Sequence, residues 1–101
     1  MNQSHSAKID IFTHFAPEKY RKAFYSKAYS NLYTDWDVPG LYDINVRLGL
    51  VDKYQGLKQV LSLPGPPLET MAAPNDAVEL AKLANEELAE LVAKYPTRFA
   101  A

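Results

Sequence analysis

At 101 residues, 48% of them hydrophobic and 23% charged, the chain has the composition of a globular protein with one modest core, and it leaves room for one domain at most. A formal net charge of −1, with lysines and arginines scattered among acids, supplies no long-range field for nucleic acid or an anionic membrane, so nucleic-acid binding is excluded as a leading function. Without cysteine there is neither a disulfide framework nor a thiolate metal site, and any metal is left to nitrogen and oxygen ligands.

Residues 1–7 are polar and lack the apolar core of a secretory signal, so a disordered leader is expected there, and His5 within it is given no role. No stretch approaches the length of a membrane span, and the cytoplasm is the default compartment. From Lys8 to Phe15, Ile9 and Ile11 alternate with Lys8 and Asp10, which predicts a buried strand stopped by Pro17. His14 follows Asp10 by four residues, where the strand gives way to a loop. An imidazole and a carboxylate so placed can share a metal ion. The simpler reading of these two residues alone is a loop-edge histidine and a strand aspartate bonded to neighbouring backbone.

Pro17 is expected at the first position of a short helix, Glu18 to about Lys27, in which Tyr20, Ala23 and Phe24 fall at helical spacing. The stretch 28–40 holds Tyr29, Tyr33, Trp36 and Pro39 without a clean period and reads as an irregular excursion. Its aromatics either line a pocket or cover one end of a core. Asp43 to Tyr54 regains a helical period through Ile44, Leu48 and Val51, with Gly56 past its end as a C-cap candidate. Leu57 to Leu63 is a second strand, closed by Pro64-Gly65-Pro66-Pro67, a cluster that continues neither a helix nor a central strand.

Asn75 is expected to cap the longest helix, Asp76 to about Lys94, on the order of 28 Å long, with Leu80, Ala84 and Leu88 on a wide apolar face and Glu86, Glu87 and Glu90 on its solvated side. Arg98 to Ala101 begins a third strand. The order strand, helix, helix, strand, helix, strand is that of an α/β architecture with parallel strands, and three short strands leave both edges of their sheet unpaired.

The run from Lys8 to Pro17 resembles the first strand of the amidohydrolase superfamily, in the branch of the aminocarboxymuconate-semialdehyde decarboxylases. In that branch the strand carries Asp-x-His-x-His and both histidines bind the metal; here His14 is the second, and Phe12 stands in place of the first. Residues 45–63 resemble the family's next helix and second strand, with Arg47, Asp52, Gly56, Gln59, Val60, Leu61 and Ser62 at matching positions and Val51 where methionine is more usual. Residues 79–101 resemble its second long helix, with Asn85 inside, and the start of its third strand after Tyr95-Pro96-Thr97-Arg98-Phe99.

The resemblance implies the N-terminal part of a (β/α)8 TIM barrel of metal-dependent hydrolase type: the first two strands and the start of the third, with the site at the strands' C-terminal ends. A barrel takes about 250 residues, so residues 8–101 are expected to be an incomplete segment, inactive alone, whose remaining ligands lie beyond Ala101. The implied activity is that of a carboxy-lyase or hydrolase acting on a small carboxylated substrate, aromatic or unsaturated, at a divalent metal, zinc by expectation. His14 is the implied metal ligand and Asp10 a residue orienting groups near it. Phe12, Phe15 and Trp36, with Tyr33, are the candidates for substrate contact, and a homo-oligomer is compatible with this picture. The ring of Phe12 has no lone pair to donate, so the metal would be held more weakly, gain another ligand, or be dispensed with. That substitution and the early stop support the alternative, a non-catalytic barrel-derived fragment or interaction module that has lost the metal site.

Overall fold

Two parallel ladders organise the chain. In the structure, a computed structural model that describes residues 7–29, 38–64 and 67–101 and leaves the side chain of Phe12 outside the described set, β1 (Lys8–His14) pairs with β2 (Leu57–Ser62), and β2 pairs with β3 (Phe99–Ala100). The sheet is three-stranded, in the order β1-β2-β3. Its register sets Asp10 beside Gln59 and His14 beside Ser62. Between Asp10 and Thr13 the register slips, three steps along β1 matching two along β2, so one extra residue sits in β1.

This is a small α/β domain, and it corrects the barrel expectation. An open sheet with β1 and β3 as its edges stands where the resemblance implied part of a closed cylinder. Closure needs every strand to find a neighbour on both sides at a common tilt and shear, and among the described residues only β2 has two. A second correction concerns β1 itself: Ile9 and Ile11 are 67% and 76% exposed, so the strand is not buried but lies at an edge with its isoleucine face open.

The helices follow the sequence with shifts at their ends. In α1 (Glu18–Lys27), Pro17 is the residue before the helix rather than its first, and no side chain of its own caps it. The Glu87 carboxylate does so instead, accepting from the N–H groups of Lys19, at 3.0 Å, and of Tyr20. Glu87, half-buried, is thus not on a solvated face. A short 3-10 turn, Pro39–Leu41, leads to α2 (Ile44–Val51), where Asp43 Oδ1 accepts from Asn45 N at 3.0 Å and Val46 N at 3.4 Å. α2 stops at Val51, earlier than Tyr54, and Gly56 serves the following turn, with a φ of 81° and its carbonyl accepting from Lys8 N at 3.0 Å. After α3 (Leu68–Met71), α4 (Pro74–Lys94) begins one residue before the expected Asn75 cap, because Pro74 with its fixed φ suits the first turn.

Two apolar layers result. Phe15, Val51, Leu61, Leu88 and Phe99 join the sheet to α2 and α4, and Tyr20, Phe24, Met71, Leu80 and Ala84 join α1 and α3 to the other end of α4. Burying each large side chain of this kind contributes about 1.5–3 kcal/mol. Lys27 ties α1 to the start of α4 through Asp76 at 3.3 Å and Glu79 at 3.1 Å. Among the described residues, no helix is long and apolar enough to cross a membrane.

Candidate functional site at the strand ends

β1 and β2 finish side by side, which brings His14 and Ser62 together although 48 residues separate them. The Ser62 hydroxyl donates to the Thr13 carbonyl at 2.9 Å, and His14 Nδ1 lies 3.1 Å from the same Oγ. A serine hydroxyl carries a single hydrogen, so with that hydrogen on Thr13 the oxygen accepts from Nδ1–H. This arrangement selects the Nδ1-protonated tautomer and leaves the ring's lone pair on Nε2. Thr13 adds a second tie across the strands, its Oγ1 donating to the Val60 carbonyl at 2.7 Å.

Behind this pair lies Arg47 of α2, only 7% exposed. Its Nε donates to the Gly40 carbonyl at 2.9 Å, one Nη to Gln59 Oε1 at 3.2 Å, and the other Nη to the His14 carbonyl. The guanidinium carbon also stands 5.4 Å from the centre of the Phe15 ring. These hydrogen-bond acceptors are neutral, so burial pushes the guanidinium pKa down, while the charge of Asp10 pulls it back up. Arg47 therefore fastens the last residue of β1 to β2 and to the 3-10 turn.

The expected site residues fall in different places. His14 is half-buried at the strand end. Asp10, also half-buried, lies beside Gln59 in the register and acts electrostatically on Arg47, which in turn holds the His14 carbonyl. Phe15 is buried in the core beneath Arg47, and it lines a cavity of about 500 Å³ with Arg21, Tyr42 and Leu91 between α1, α2 and α4. Trp36, Tyr33 and His5 lie outside the described residues, as does the side chain of Phe12. A second cavity, about 570 Å³, opens beside Ser62 and is walled by Leu61, Leu63, Leu88 and Val92, with Asn85 at its margin. Ser62 thus stands between the His14 imidazole and this apolar cavity, which His14 itself does not line.

Among the described residues no group of three or more histidine, aspartate or glutamate side chains converges. To a divalent metal His14 would give one nitrogen. Arg47 was missed as part of the site, although its spacing was informative: it falls three residues after Ile44 and four before Val51, on the apolar stripe of α2. Ser62 stood at the end of a strand and at a position matching the resembled family, but neither signal showed that it meets His14. No family model matches the chain, and no curated protein is similar to it.

Proposed function

We propose that the chain supplies the strand-end part of an amidohydrolase-type active site, that of a carboxy-lyase or hydrolase acting in the cytoplasm on a small carboxylated substrate with an aromatic or unsaturated body. The observation that carries this reading is the chain of contacts from His14 Nδ1 through Ser62 Oγ to the Thr13 carbonyl. It stands at the carboxyl ends of parallel strands, where open α/β sheets bind their ligands. Nε2 is the working atom: in hydrolysis it takes a proton from water as the oxygen adds to the acyl carbon, then gives that proton to the leaving group as its bond to the acyl carbon breaks. In decarboxylation the ring, protonated from solvent, gives its Nε2 proton to the carbon that keeps the electron pair of the broken bond to CO2. The groove beside Ser62 offers Leu63, Leu88 and Val92 to the substrate's apolar body. The substrate class itself comes from the resemblance of residues 8–17.

The test is a titration of the ¹⁵N-labelled chain with benzoate, a small aromatic carboxylate, followed by amide shifts. Saturable shifts at His14, Ser62 and Leu63 at millimolar benzoate, abolished by His14→Ala, are expected. An absence of such shifts, or their survival unchanged in His14→Ala, would refute the reading. A second reading, the interaction module, draws on the exposure of Ile9 and Ile11.

A further inference from the structure

We propose that two copies of this chain associate edge to edge through β1, antiparallel, with the two-fold axis at Ile9. The inference goes beyond the strand-end site and does not depend on it. Among the described residues, the sheet ends at β1, whose Lys8, Ile9 and Ile11 are exposed. The backbone N–H of Lys8 points to β2, donating to Gly56 O at 3.0 Å. Strand alternation then turns the N–H and C=O groups of Ile9 away from β2, toward the open edge. Such an edge is a template for another strand.

The sequence on that edge is self-complementary in one register. With Ile9 on the axis, Ile9 of one copy faces Ile9 of the other as a hydrogen-bonded pair, each giving the N–H and C=O that alternation has turned outward. Lys8 then lies opposite Asp10 of the second copy, and Asp10 opposite its Lys8, in the closer, non-hydrogen-bonded positions where opposite charges attract most. Ile11 falls opposite Ala7, a small residue that leaves room for it. Centring the pair on Ile11 instead would set Asp10 against Phe12 and run the register slip after Asp10 into the ladder, so charge and backbone both select Ile9. The product is a continuous sheet of six strands, three from each copy, with the helices of both on one side and the isoleucines of both on the other.

The experiment is sedimentation equilibrium on the intact chain and on Lys8→Asp, Asp10→Lys and their equimolar mixture, with far-UV circular dichroism confirming that each is folded. The wild type should be dimeric. Each single variant sets like charges opposite each other twice and should weaken the dimer by about tenfold or more. The mixture should recover it, because the aspartate introduced into one variant meets the lysine introduced into the other, and the native Asp10 of the first meets the native Lys8 of the second. Ile9→Cys gives a second readout in a chain without native cysteine. Facing α-carbons in such a pair are about 5.5 Å apart, inside the disulfide window, so mild oxidation should cross-link it while the exposed Leu50→Cys stays uncrosslinked. A monomeric wild type, a dimer indifferent to both charge variants, or equal cross-linking at positions 9 and 50 would overturn the proposal.

Discussion

Replacing Arg47 with methionine tests the interior of the site most directly. Methionine keeps most of the apolar stem and removes the guanidinium that reaches Gly40, His14 and Gln59. Each buried acceptor left unpaired costs about 1–3 kcal/mol. Gly40 is buried and its carbonyl bears that cost in full, while His14 and Gln59 are half-buried and regain some water. Relief of the cation's own desolvation offsets part of the rest, giving a net loss of roughly 3 kcal/mol. At 4–8 °C per kcal/mol for a domain of this size, Tm should fall by about 12–24 °C. In urea, with a slope of about 2 kcal/mol/M, the midpoint should drop by about 1.5 M. Arg47→Lys, which keeps the charge but not the fork, should fall between the two. A loss below about 1 kcal/mol for Arg47→Met, the range of an ordinary surface change, would show that the guanidinium does not organise the strand end.

Two further outcomes follow from contacts made by α1. Glu87→Ala should destabilise the chain by about 1 kcal/mol, as the loss of a helix cap does, and Glu87→Gln, which keeps one acceptor oxygen, by less, both read from urea unfolding; equal stability of all three proteins would refute the capping role. Burial pushes the Tyr20 hydroxyl up to about 12, above its ordinary value of 10.0. The folded chain thus holds this proton longer than the unfolded chain, so the associated stability is complete below pH ~10 and is lost as pH rises toward ~12, by at most about 2.7 kcal/mol. Tyr20→Phe should flatten that alkaline limb in urea midpoints measured against pH, and an unchanged limb would show that another group causes it.

Local structure was legible where it follows an apolar period. The start of α2 near Asp43 was legible because an apolar period begins there, though not that Asp43 caps it, and the parallel α/β order followed from the succession of periods. Asn75 misled because Pro74, one residue earlier, already suits the helix start. Ile9 and Ile11 misled for a different reason. Alternation says which residues share a face, and it is silent on whether anything covers that face. The barrel expectation failed on the same ground, since segment resemblance is local and closure is a property of edges. His14 stood out as a residue type at a strand end, but its contact with Ser62 depends on the register of two strands 48 positions apart. Glu87 looked solvated because a polar helix face does not reveal that another helix begins against it.

That last contact bears on the order in which the molecule assembles. α1 has 10 residues, too short to persist alone in water, and the amides of its first turn are held by a carboxylate 67 and 68 positions further along the chain. During synthesis α1 is made before α4, yet it gains its cap only after α4 has been completed and docked. α1 is therefore made well before it can become stable, and until α4 docks the ring of Phe24 and the phenol of Tyr20 remain in water.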